Sequence, residues 1–295
     1  MGFVDYLVED ELSGAHKKLT AALGSDVIFY YGPMAFDTPH VFADAIGQIK
    51  KKKRTLSVIL TTGGGIVEPV ERSVEIIRNN YQFVNFIVPD YAMSAGTVFC
   101  MSGDKIFMNQ ASSLGPIDPQ IQKNDGTLVP AMGYLEQLEK LIQKSKDKTI
   151  SPAEIDLLRS FDLGDINKYE QARNLTVTLL KKWLVTFKFK NWKTHQTTPD
   201  YKGQPVTDEQ KKERAEDIAK KLGDISIWHS HGRHIGIKTL QKELRLKIED
   251  YTNRKSIAAH IVIYNGLAAD YIRKNRYVLY VHSGAVIQAV AGVSL

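Results

Sequence analysis

The chain has 295 residues, of which 43% are hydrophobic and 24% charged, the balance of an ordinary globular protein with one large domain or two modest ones. That composition excludes a disordered chain, a collagen-like repeat and a disulfide-stapled miniprotein. Net charge is +6, a mild excess of 39 basic over 33 acidic residues, and no zinc-finger or RNA-recognition signature accompanies it, so nucleic acid is not an expected partner.

A single cysteine, Cys100, cannot form an internal disulfide, which fits a reducing compartment. The acidic start, Val4-Asp5-Tyr6-Leu7-Val8-Glu9-Asp10, lacks the basic and apolar stretches of a signal peptide, and a cytoplasmic location is expected. The run Lys50-Lys51-Lys52-Lys53-Arg54 reads first as a solvated corner; its rarer reading is an anionic membrane contact, which would make the chain peripheral to a membrane.

Residues 1–24 are read as an N-terminal helical segment and residues 25–125 as an α/β core. Val27-Ile28-Phe29-Tyr30-Tyr31 is a buried-strand run ended by Gly32-Pro33. Thr38-Pro39 reads as a helix start, a capping hydroxyl followed by proline, with Val41, Phe42, Ala45, Ile46 and Ile49 on one face. Residues 56–60 form the next apolar strand, broken by Gly63-Gly64-Gly65, and a second amphipathic helix runs through Val67, Val70, Val74 and Ile77. Residues 83–88 and 105–108 supply two more strands. Strand–helix alternation of this kind implies parallel strands with right-handed crossovers.

Residues 126–225 read as a helical insertion with a flap, and 226–295 as a part that completes the core. Helices are expected at 134–142, from the capping box Ser151-Pro152-Ala153-Glu154, across 166–188, and from Thr207-Asp208-Glu209-Gln210 to Gly223. Residues 191–205 read as a loop, and 239–246 as a shorter helix. Residues 277–295 carry no charge, but His282, Ser283, Gln288 and Ser294 interrupt them, so a terminal strand with an apolar tail is expected rather than a membrane span.

Two features carry chemistry. The first is the glycine triplet in Thr62-Gly63-Gly64-Gly65-Ile66-Val67, where glycines permit close backbone approaches and can aim N–H groups into a cleft. It fits neither the Walker pattern nor the dinucleotide fingerprint, so nucleotide binding is disfavoured and no cofactor is expected. The second is Pro89-Asp90-Tyr91-Ala92-Met93-Ser94-Ala95-Gly96-Thr97, a serine among small residues between a strand and an apolar helix. By itself Ser94 reads as an N-cap. Unpaired N–H groups beside a serine hydroxyl also suit the oxyanion that develops when a hydroxyl attacks an acyl carbon.

Taken together with Gly103-Asp104-Lys105-Ile106-Phe107 and Ser113-Leu114-Gly115-Pro116-Ile117-Asp118-Pro119-Gln120, these motifs resemble the serine dehydrogenase proteinase family. That family lies within the superfamily of Clp protease, signal peptide peptidase A and crotonase. The resemblance covers roughly residues 25–125 and recurs weakly at 227–248. It implies a repeated β-β-α core with a parallel sheet, Ser94 as nucleophile, and an oxyanion hole from Gly64, Gly65 and Ala95. It further implies a peptide or protein substrate and a cyclic homo-oligomer. Since no ATPase signature is present, energy-driven unfolding would need a separate partner.

A serine hydroxyl needs a base. No histidine lies between Ser94 and His195, which counts against the Clp protease arrangement of the triad. In the signal peptide peptidase branch the base is a lysine about fifty residues on, shortly before a Ser-Pro helix start; here Lys146, 52 residues after Ser94, is the first choice and Lys148 the second. A departure from that branch is Pro116, which stands where a polar residue often supports the lysine. Asp118, next to Pro119, could orient a base or simply end a strand. His229, His231 and His234 suggest a metal only at first sight, with no acidic or cysteine partner nearby in sequence, and no metal site is expected. Cys100 reads as packing.

Three functions follow as expectations: a serine endopeptidase, a crotonase-like acyl-coenzyme A enzyme, or a scaffold that keeps the fold without a base. The serine at position 94 favours the first.

Overall fold

The computed structural model describes residues 2–122, 128–196 and 199–292. Its centre is a seven-stranded sheet formed by β1 (Asp26–Tyr31), β2 (Thr55–Thr61), β3 (Phe83–Val88), β5 (Lys105–Met108), β9 (Glu249–Asp250), β10 (Tyr277–His282) and β11 (Val286–Ala291), ordered β11-β10-β1-β2-β3-β5-β9. The five strands from β1 to β9 pair in parallel; β10 runs antiparallel to β1, and β11 antiparallel to β10. Two short strands, β4 (Tyr91–Ala92) and β6 (Ser113–Leu114), pair in parallel beside this sheet, and β7 (Gln120–Gln122) forms a small hairpin with β8 (Leu128–Pro130).

The apolar runs have no polar alternation because both faces of the sheet are covered. Within β1, Ile28 and Tyr30 face one core, while Val27 and Phe29 face the other, the two-residue period of a strand. The first core is filled by α2 (Thr38–Gly47), α3 (Glu68–Asn80) and α4 (Ala95–Met101). Behind them stand α7 (Leu163–Trp183), α8 (Asp208–Gly223) and α10 (Ile237–Lys242). Stacked Tyr30 and Phe42, and Phe99 edge-on to Phe42 and Phe86, lie at its centre. The second core lies under α1 (Phe3–Leu23) and α11 (Lys255–Asn275), which bring Leu12, Leu19, Ile261, Tyr264 and Tyr271 onto Phe29, Ile59 and Phe107.

The remaining helices are α5 (Ala131–Lys146), α6 (Pro152–Arg159) and α9 (Ile225–Trp228). Both expected capping boxes form: Ser151 Oγ accepts from Glu154 N, and Thr207 Oγ1 from Gln210 N. Other expectations shift. Asp37, not Thr38, precedes α2, and Thr38 Oγ1 instead accepts from Ala35 N at 2.9 Å and meets Tyr30 Oη at 3.2 Å. The helix read at 166–188 starts earlier, at Leu163, capped by Asp162, and passes into a π-helical turn, Leu184–Lys188. The helix read at 239–246 is the shorter α10. The apolar tail folds back as β11, and its last three residues lie outside the described residues. The long helix α11 was not anticipated, although Ile261, Tyr264, Ala268, Tyr271 and Ile272 have helical spacing. No helix among the described residues is long and apolar enough to cross a membrane.

Candidate active site

Beyond β2 the chain keeps an extended course and pairs with β4: Thr62 N donates to Tyr91 O at 3.1 Å, and Met93 N to Thr62 O at 2.9 Å. This bridge carries the glycine turn alongside the serine turn. A β-carbon on Gly64 would stand 2.7 Å from Ser94 Cβ and 2.8 Å from Met93 O, so the two backbones touch at this point. Gly64 has φ of +100°, and Gly65 has φ of +140° with its Cα pressed against the Met34 peptide. Side chains rarely adopt such angles, and none would fit the space. Gly96 leaves room for Thr62, whose Cγ2 would meet a β-carbon there at 2.3 Å.

Ser94 occupies the N-cap position of α4 with φ 50° and ψ −118°, and its side chain makes no capping hydrogen bond. A non-glycine residue at positive φ costs on the order of 1–3 kcal/mol and persists only where its surroundings impose it. Here the Thr62–Met93 bridge before it and the buried helix after it impose it. The result is a half-buried hydroxyl turned away from the cap, the same stratagem as a strained strand-to-helix elbow that exposes a serine nucleophile.

Backbone donors lie close to this turn, with Ala95 N 3.4 Å from a β-carbon placed on Gly64. Gly64 N–H is already taken by Thr62 Oγ1 at 3.0 Å, and Gly64 O accepts from Met34 N at 2.8 Å. Among the described residues the N–H groups of Gly65 and Ala95 have no partner, and they flank the Gly64–Ser94 contact from either side. Of the three residues expected to form an oxyanion hole, Gly65 and Ala95 therefore present free donors, while Gly64 provides the close approach.

A third strand joins them. β6 lies beside β4 in the register Ala92 to Leu114, and a β-carbon on Gly115 would strike Met93 Cε at 2.6 Å, which continues that register to the residue before Ser94. Thr97 Oγ1 pins the three segments together: it accepts from Gly115 N at 2.9 Å and lies 2.8 Å from Ala92 O. On its far side β6 meets the histidine-bearing turn through an antiparallel bridge between Leu114 and Ile235. Two residues past Pro116, the buried Asp118 carboxylate holds His231 Nδ1 at 2.9 Å through Oδ1 and accepts from Gln120 Nε2 at 2.9 Å through Oδ2. His234 Nδ1 lies 2.6 Å from Ser113 Oγ. The three histidines of this turn thus do not converge on one point.

Lys146 ends α5, and Lys148 follows at φ 57°; both are exposed, and neither has a hydrogen bond with Ser94. Neighbouring Lys144 pairs with Glu154 and holds that carboxylate down at about 2. Next to Asp118, Ile117 and Pro119 line a cavity of about 980 Å³ whose other walls include Leu135, Val177 and Ala219. Cys100 is fully buried six residues along from Ser94, and burial pushes its thiol up, as suits packing.

Sequence reading missed Met34, and it took Thr62 only as part of the glycine turn and His231 only as a metal candidate. The contacts of Met34 with Gly64 and of His231 with Asp118 join segments distant in sequence, which no local signal marks.

This is a Clp-like α/β fold in which a serine turn and a glycine turn meet at the end of a parallel sheet. The chain belongs to the ClpP-like SDH-type serine proteinase family, whose model matches residues 31–213. Two uncharacterized proteins of Methanocaldococcus jannaschii are similar to it. One is 31% identical over 173 residues, 57% of this chain and 54% of that protein. The other is 30% identical over 95 residues, 32% of this chain and 31% of that protein. The match therefore spans about half the length of the first relative and less of the second. Among solved structures, a mutant of the 1510-N membrane-bound stomatin-specific protease aligns at 13% identity with a TM-score of 0.44, over 78% of this chain and 81% of that one. ClpP1 from Listeria monocytogenes aligns at 10% identity with a TM-score of 0.41, over 83% and 97%.

Proposed function

We propose that this chain is a serine peptidase in which Ser94 attacks a peptide carbonyl and the N–H groups of Gly65 and Ala95 receive the developing oxyanion. The observation that carries this reading is the contact of the Gly64 backbone with the Ser94 side chain, which sets two unpaired donors beside a hydroxyl that caps nothing. A bound peptide in extended form would add as a strand along these segments. Attack joins Ser94 Oγ to the carbonyl carbon; collapse of the tetrahedral species breaks the C–N bond and leaves an acyl-enzyme that water hydrolyses. The resemblance offers Lys146 and Lys148 as proton acceptors, and the fold offers a histidine. With the peptidase we propose a cyclic homo-oligomer, for which exposed Phe3, Tyr6 and Leu163 supply apolar contact surface. Any ATPase or membrane partner would act as a separate component.

The test is covalent labelling by a fluorophosphonate probe together with hydrolysis of fluorescein-labelled casein. Both are expected from the native chain and neither from Ser94→Ala. Equal labelling of the two proteins, or none of either, would remove the peptidase reading.

A further inference from the structure

We infer that a cleft under α11, behind the serine turn, binds a short peptide with both termini free, about three residues long. The cleft encloses about 570 Å³ at the ends of β1, β2 and β3, the edge at which open α/β sheets receive ligands. Strand alternation turns Phe29, Tyr31 and Thr61 toward α11, whereas α4, which follows Ser94, packs on the opposite face of the sheet. From α11 the cleft takes Asn265, Ala269, Ile272, Arg273 and Arg276, which recur at the spacing of one helix face. Tyr91, another wall, also receives Thr62 N through its carbonyl at 3.1 Å, so the cleft backs onto the bridge that carries the glycine turn.

Two independent observations mark a ligand site. The first is unmet hydrogen-bonding capacity. Thr61 is only 5% exposed, and its Oγ1 is buried without a partner among the described residues; so is Asn265 Oδ1. Buried polar atoms of that kind are uncommon, and an extended peptide brings N–H and C=O groups to them. The second is a division of charge between the two ends. Asp90, beyond β3, is exposed and holds Asn265 Nδ2 at 3.2 Å, while Arg273 and Arg276 stand at the other end beside Tyr277.

The separation of these ends sets the length of the occupant. From β3 across β2 and β1 to β10 is three strand spacings, about 14 Å. Along α11, the 11 residues from Asn265 to Arg276 rise about 16 Å. An ion pair takes about 3 Å at each end, which leaves about 8–10 Å, the span of three extended residues. Half-buried Tyr31, Tyr91 and Tyr277 offer ring surface to the middle side chain. Burial, with Tyr31 and Asp90 close by, holds the Tyr91 phenol above its usual value, so it stays a neutral donor. The carboxyl end of α11 carries about half a negative charge, which two full guanidinium charges outweigh. Arg273 already meets Asp270 at 3.3 Å, but both side chains are 78% exposed, and such a pair gives up its cation at little cost.

The experiment is isothermal titration calorimetry of the tripeptide Ala-Phe-Ala into the full Ser94→Ala chain, in which hydrolysis at position 94 does not consume the probe. Acetylating its amino terminus, or amidating its carboxyl terminus, is expected to weaken binding by about 10-fold or more, the loss of one end's ion pair. Free phenylalanine, too short to reach both ends, is expected to bind about 10-fold more weakly or worse. Asp90→Asn is expected to weaken the free tripeptide and to erase the effect of acetylation; Arg273→Gln with Arg276→Gln is expected to erase the effect of amidation. All three residues are exposed, so these variants keep the fold, which melting temperature checks; the blocked peptides test the same point on a chain with neither change. The inference is overturned if Ala-Phe-Ala does not bind, if blocked peptides or phenylalanine bind as tightly, or if the Asp90 and arginine variants bind it unchanged. The last result would put the peptide at another place on the chain. Ser94 labelling takes no part in this test, so the peptidase reading stands or falls separately.

Discussion

Gly64 and Ser94 are in backbone-to-side-chain contact: a β-carbon placed on Gly64 would come within 2.7 Å of Ser94 Cβ, and 60–64 is joined to 91–94 by the Thr62 bridge. Everything proposed for the serine depends on that closeness. Gly64→Ala adds a methyl group where none fits, at φ of +100°. The expected result is a loss of about 1–3 kcal/mol of stability together with loss of fluorophosphonate labelling, because relief of the clash pushes the two turns apart. Thermal melting and labelling of the same preparation check it; native labelling in a folded Gly64→Ala protein would contradict the geometry.

The hydroxyl of Thr97 offers a second handle on the same arrangement. It is buried, accepts from Gly115 N, and lies within reach of Ala92 O and Gly115 O. Thr97→Val keeps the shape but strands the Gly115 N–H, at a cost of about 1–3 kcal/mol. Chemical denaturation would show the loss, and a cost near zero would mean that water takes the hydroxyl's place.

Away from the site, Arg78 and Asp104 lock α3 to the start of β5. Their ion pair is 2.9 Å long with side chains only 11% and 16% exposed; Arg78 also donates to Ser102 O and lies 3.6 Å from the Phe187 ring centre. Burial lowers the guanidinium, and Asp104 raises it, so the charge depends on its partner. Asp104→Ala leaves that charge buried and also removes the acceptor of Val84 N, and is expected to cost about 3–5 kcal/mol. Breaking the exposed Arg72–Glu75 pair by Arg72→Ala is expected to cost less than about 1 kcal/mol. Urea midpoints of the two variants give the comparison.

Acid sensitivity is expected from the core beneath α1 and α11. His282 is buried with Nδ1 at 2.6 Å from Tyr264 Oη and no partner for Nε2, and burial, with His16 close by, pulls it down to about 3. Burial also lowers His16, whose Nε2 lies 3.0 Å from Val27 O. Both are held below their unfolded value, so the folded state binds fewer protons. The stability they contribute is fully present above about pH 6.5 and is lost as the pH falls toward about 3, with a slope of up to about 1.4 kcal/mol per pH unit for His282. His282→Gln should flatten the decline of the urea midpoint below pH 6; an unchanged slope would place the acid sensitivity elsewhere.

Much of this molecule is local and therefore legible in order along the chain. Alternating strands and helices over residues 25–108, the two capping boxes and the glycine and serine turns all arise from spacing and residue type within about ten residues. Physical chemistry at that range is set by backbone preference, periodicity and short hydrogen bonds. Where local reading slipped, a tertiary partner outweighed the local preference: Thr38 leaves the cap because Tyr30 and Ala35 claim its hydroxyl, and residues 286–291 become a strand because β10 offers them an edge.

The composition and order of residues alone determined the parallel α/β core, the placement of Ser94 between strand and helix, and the family. Only the tertiary structure decided that Gly64 would touch Ser94, which brings the free N–H groups of Gly65 and Ala95 to the two sides of one contact, and that Asp118 would meet His231 across 113 positions of sequence. The reason is physical. A hydrogen bond between distant segments depends on how strands stack and in which register, and that register is set by the whole apolar surface the two cores must bury, not by the residues that form the bond.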